Sequence, residues 1–125
     1  MKKYYLTTCL MWAFFSLYAQ KSDSTAIKQW LILLKVTPQY QEEKNWDKDA
    51  EAAVSAHFKR YLKMKEEGKL ILAGRTQTDL KTTFGILVFE AKTEAEAKTY
   101  LTEDPAVKAG VMTGELFPYQ VAVSR

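Results

Sequence analysis

Hydrophobic residues follow two rhythms along this chain. From Ala26 to Thr37, a dense β-branched and aromatic run (Ile27, Trp30, Leu31, Ile32, Leu33, Leu34, Val36) predicts a strand, closed by Pro38. Gln39 to Trp46 reads as a polar loop, long enough to carry function but unspecific in content. The rhythm changes from Asp47 to Glu67. There Ala50, Ala53, Val54, Phe58, Tyr61, Leu62 and Met64 recur near the helical period. Asp47, Asp49 and Glu51 suit the positive end of that helix dipole, and Lys63 and Lys65 suit the negative end. Gly68 supplies the left-handed residue that ends the helix.

The strand rhythm returns at Leu70 to Thr76 and again at Thr83 to Glu90, across a loop that holds Asp79. Thr93 with Glu96 forms a capping box opening a second helix, which Asp104-Pro105 stops near Glu103. Ala106 to Gly110 adds one further turn, and Glu115 to Val123 reads as the last strand. The order β-α-β-β-α-β is the split βαβ, ferredoxin-like pattern of an α+β fold. The strands are apolar on both faces: Leu31 and Leu33 alternate with Trp30, Ile32, Leu34 and Val36. Two helices cover one face of a four-stranded sheet, and an antiparallel sheet with a wet face alternates cleanly. The surplus apolar surface predicts a homodimer packed sheet against sheet.

The N-terminus changes how the charge is read. Lys2 and Lys3 precede an apolar stretch from Leu6 to Tyr18, and Ala19 offers a small residue for cleavage before Gln20. Residues 1–19 therefore read as a signal peptide, 20–25 as a flexible leader and 26–125 as one domain. The apolar stretch falls short of the about 20 residues a membrane-spanning helix needs, so no membrane association is expected after cleavage. Removing the signal lowers the net charge from +3 to +1, with 16 basic against 15 acidic residues. No basic stripe remains, which argues against a nucleic-acid partner. The one cysteine, Cys9, leaves with the signal. The mature domain then holds together by packing alone in a periplasmic or secreted setting.

Few residues can carry chemistry. The chain has no phosphate-cradling glycine loop, no Gly-x-Ser-x-Gly elbow and no spacing of His and Cys for a metal, so neither metal nor organic cofactor is expected. His57 is the only histidine, on an otherwise apolar helix face. It is either a satisfied core residue or the one side chain suited to proton transfer near neutral pH. An acid–base role needs a carboxylate to fix the imidazole tautomer. Asp104, held extended by Pro105, is a candidate, as are Asp79 and Glu103. The plainer readings are a helix-stop pair for Asp104, a turn aspartate for Asp79 and a solvated acid for Glu103. Arg75 is a candidate for binding an anionic substrate, or a surface charge. Tyr61, one turn after His57, reads as core with its hydroxyl at the rim.

Residues 57–76, with their histidine, leucine-bearing helix, glycine and strand ending in Ala73-Gly74, resemble the YciI-like (YCII-related) family. The resemblance continues at Phe84-Gly85, at Thr93 to Ala97, at Asp104 to Val111 and at Phe117-Pro118-Tyr119. It covers about residues 27–123. It implies a ferredoxin-like fold paired into a dimeric α/β barrel, with a His-Asp pair at the helix–sheet junction that maps onto His57 and Asp104. It also implies cofactor-independent lyase or isomerase chemistry on a small cyclic substrate, by likeness to a dehydrochlorinase and to muconolactone isomerases. Two positions depart from the pattern: Val54 stands where many members carry arginine, and Arg75 where they carry proline. The sequence thus leads to a small-molecule enzyme working through His57 and Asp104, with Arg75, Asp79 and Tyr61 as substrate-binding candidates. The alternative is a non-catalytic dimeric module that binds a small ligand, with His57 structural.

Overall fold

The computed structural model describes residues 26–125. The signal peptide expected at 1–19, with Cys9, and the leader expected at 20–25 lie outside the described residues. Four strands form one sheet: β1 (Lys28–Val36), β2 (Leu70–Arg75), β3 (Phe84–Ala91) and β4 (Met112–Tyr119). Helix α1 (Lys48–Glu66) joins β1 to β2, while α2 (Glu94–Thr102) and the single turn α3 (Pro105–Lys108) join β3 to β4. The strand order is β2-β3-β1-β4 with every pairing antiparallel, so the chain is α+β and ferredoxin-like.

Local chemistry fixes the helix ends. The Asp47 side chain caps α1 by accepting from the Ala50 N–H at 2.8 Å, and Gly68 turns the chain out at φ +72°. Thr93 caps α2 by accepting from the Glu96 N–H at 3.1 Å. The Glu96 carboxylate reaches back to the Lys92 N–H at 3.0 Å, one residue earlier than in an ideal capping box.

The last strand departs from expectation, starting at Met112 rather than Glu115 and ending at Tyr119 rather than Val123. Gly110, at φ +73°, turns the chain into the sheet early. The Val111 carbonyl then takes the Thr37 N–H at 3.0 Å, which sets Met112 opposite Val36. At the far end the Gln29 Oε1 accepts the Val121 N–H at 2.7 Å, and this side-chain bond replaces the backbone ladder. Pro118 is accommodated because β4 is an edge strand. The loop before α1 is also more ordered than its polar content suggests. It holds two 3-10 turns, Pro38–Tyr40 and Glu43–Asn45, and the Trp46 indole donates to the Tyr40 carbonyl at 2.8 Å.

The core lies between helices and sheet. Trp30, Ile32 and Leu34 of β1 meet Leu87 and Phe89 of β3, together with Tyr61 and Met64 of α1. The Phe89 and Tyr100 rings pack edge to face at 5.0 Å. Two residues of the apolar α1 stripe are exposed: Phe58 at 59%, and Leu62. Phe58 sits instead at the wall of a cavity between α1 and the sheet. On the sheet face away from the helices, register lines up Leu72, Val88, Leu31 and Phe117 as one apolar row across all four strands. Leu72 is 57% exposed and Phe117 41%.

Candidate active site

One turn of α1 and one helix stop build the centre of the site. His57 and Tyr61 are four residues apart, hence on one face of α1, and their rings meet edge to face at 4.4 Å. Asp104 lies between α2 and α3. The proline after it keeps its backbone extended (φ −67°, ψ 126°), so the side chain is free to serve both the turn ahead and the helix beside it. Its Oδ1 accepts from the N–H groups of Ala106 at 2.9 Å and Val107 at 3.4 Å. Its Oδ2 lies 2.7 Å from the His57 Nδ1.

That geometry sets the tautomer. An ionised carboxylate only accepts, so Nδ1 carries the hydrogen and donates it. In the neutral imidazole the Nε2 then keeps its lone pair, and among the described residues it has no protein partner. Asp104 is 1% exposed, so its charge is screened by little water. Its carboxylate is held by one side-chain and two backbone donors, as a buried charge requires. Tyr61 completes the cluster. Burial, reinforced by the negative charge of Asp104, raises its phenol well above the usual tyrosine range, so the hydroxyl stays protonated.

The imidazole forms part of the wall of a cavity of about 510 Å³, a size suited to a small organic molecule. Its roof is Val54, His57, Phe58 and Tyr61 of α1; its floor includes Leu34, Ala73 and Gly85 of the sheet. Arg75 lies along the same cavity, and no ion pair among the described residues engages it. Among the described residues, no cluster of three or more His, Cys, Asp or Glu could hold a metal ion. No helix among them is long and apolar enough to cross a membrane.

Of the six candidates singled out from sequence, the structure brings four together: His57, Asp104, Tyr61 and Arg75. Asp79 is a correction, because it does not line the cavity. Its Oδ1 accepts from the Lys81 N–H, the Thr82 N–H and the Thr82 hydroxyl, at 2.9–3.0 Å, and these bonds hold its carboxyl below the usual range. It makes the β2–β3 turn, the plainer of its two readings. Glu103 is exposed and pairs with Lys108 at 3.2 Å. Sequence reasoning missed Trp46 and Thr83, which also line the cavity. A tryptophan closing a polar loop just before the histidine helix was the available signal for Trp46. Thr83, whose hydroxyl donates to the Thr76 carbonyl at 3.0 Å, offered none.

The YCII-related domain matches residues 29–118 of this chain. No curated protein matches it. Among solved structures, the chain is similar to the 5-chloro-2-hydroxyhydroquinone dehydrochlorinase of Burkholderia phenoliruptrix in complex with 2,5-dihydroxybenzoquinone. That similarity is 21% identity at a TM-score of 0.48, covering 74% of this chain and 93% of that one.

Proposed function

The chain belongs to the YCII-related domain family, and from that premise we propose that it is a small-molecule enzyme in which His57 and Asp104 act as an acid–base pair. The observation that carries this reading is the 2.7 Å contact between the His57 Nδ1 and the Asp104 Oδ2, made at the wall of a substrate-sized cavity. The His57 Nε2 takes a proton from an acidic C–H of the substrate. The C–H electron pair moves into a new C=C bond, and the buried Asp104 carboxylate stabilises the imidazolium. Departure of a leaving group with its bonding pair makes the reaction a lyase step. Return of the proton to another carbon makes it an isomerase step.

The reaction runs in a homodimer whose sheets meet through the row Leu72, Val88, Leu31 and Phe117. Lys2, Lys3 and the apolar stretch from Leu6 to Tyr18 support an exported enzyme acting in the periplasm or outside the cell. The test is a turnover screen of small ring ketones, lactones and halogenated ring compounds in D2O, followed by NMR. At least one compound is expected to exchange a ring proton, shift a double bond or lose its leaving group with wild-type protein. His57→Gln slows that turnover by about 10²–10⁴-fold. Turnover that persists in His57→Gln, or a screen in which nothing is converted, overturns the reading.

A further inference from the structure

The charge distribution along the cavity says which molecules it takes. No carboxylate lines it: Asp104 stands behind the imidazole, buried, and Asp79 faces the turn. The cationic side chains along it are Arg75 and Lys35. Register separates these two. Arg75 lies opposite Gly85, and Gly85 opposite Leu34, so Arg75 shares the helix-facing side of the sheet with buried Leu34. Lys35 is the next residue along β1 and projects to the other side, where it also borders Thr113 and Glu115. Arg75 is therefore the permanent positive charge on the helix-facing side of the cavity.

Gly85 shapes that floor. It leaves a strip of bare backbone between Arg75 and Leu34, flat enough for a planar ring to lie on. A Cβ there would stand 3.6 Å from the Gly74 carbonyl and 3.7 Å from the Leu34 Cβ, in ordinary contact, so packing does not demand the glycine. Apolar walls from Phe58, Trp46 and Leu80 would cover the ring's faces.

We propose that the cavity takes planar ring carboxylates, with the carboxylate on the Arg75 guanidinium, the ring over Gly85 and the reacting edge toward His57. The substrate class rests on reading this cavity as the substrate site. The recognition itself needs only Arg75 and the floor, not proton transfer. A planar guanidinium fork matches a carboxylate in two parallel hydrogen bonds, which a neutral amide of the same shape cannot reproduce.

Naphthoate, naphthamide and naphthylmethylamine, titrated calorimetrically into the full protein, separate charge from shape. The wild type is expected to bind naphthoate about tenfold or more tighter than naphthamide, and the amine weakest. Arg75→Gln brings naphthoate to within about twofold of naphthamide, while Arg75→Lys retains part of the preference. His57→Gln keeps the preference intact, so a failed turnover screen and a failed binding series are distinguishable. Equal affinity for acid and amide in the wild type, no binding of either, or a preference that survives Arg75→Gln each overturns the proposal.

Discussion

Asp104 performs two tasks with one carboxylate, and the two are separable by substitution. Its Oδ1 caps α3 and its Oδ2 orients the imidazole. Asn caps a helix about as well as Asp, so Asp104→Asn is expected to keep the fold, with a circular dichroism spectrum like that of the wild type. Its amide can turn an N–H toward the Nδ1 and favour the opposite imidazole tautomer, which nitrogen NMR shifts of His57 would reveal. Activity then falls by about 10²-fold or more. Tyr61 makes a different prediction. A phenol raised in the folded state contributes stability that is full below the unfolded value of about 10 and fades as pH climbs through the folded one. The stability advantage of wild type over Tyr61→Phe in urea melts is expected to shrink above that pH. An advantage constant to the alkaline limit would contradict the raised phenol. At this scale the sequence was legible in part. The types of His57 and Asp104 made them candidates for a pair, but their 47-residue separation is closed only by tertiary packing. Resemblance pointed to the pair where spacing was silent. Asp79 misled because a turn aspartate and a binding aspartate look alike in sequence.

Among the elements, both long helices were readable because their ends are written in local residues: Asp47 and Gly68 for α1, Thr93 and Glu96 for α2. The boundaries of β4 were not, because Thr37 and Gln29, both distant in sequence, decide where its ladder begins and ends. The most constrained point of β4 is Gly114. A Cβ there would meet the Leu101 Cδ1 at 2.6 Å, the Leu34 Cδ2 at 2.8 Å and the Leu33 carbonyl at 3.3 Å. Gly114→Ala is expected to cost about 1–3 kcal/mol in urea denaturation, since Leu34 is buried and has little room to move. Gly74→Ala, with nothing within 4 Å of the added methyl, is the control and should stay near the wild type.

For the whole molecule, the element order was enough to give the ferredoxin-like fold, and strand composition marked the sheet face that the helices leave open. Composition could not give register, and register is what gathers Leu72, Val88, Leu31 and Phe117 into one continuous row. Light scattering at micromolar concentration is expected to return twice the mass of a single chain. Phe117→Asp, at an exposed position, should shift it to the monomer with the fold retained; a wild type of single-chain mass would remove the dimer. The strand order also bears on how the chain is made. The first strand lies inside the sheet, between the third and fourth, and has no pairing with the second. A polypeptide emerging N-terminus first therefore shows two strands and a long helix before any strand has a partner. The sheet closes only when synthesis nears its end. For the export proposed above, such late closure would keep the chain threadable through a secretion channel.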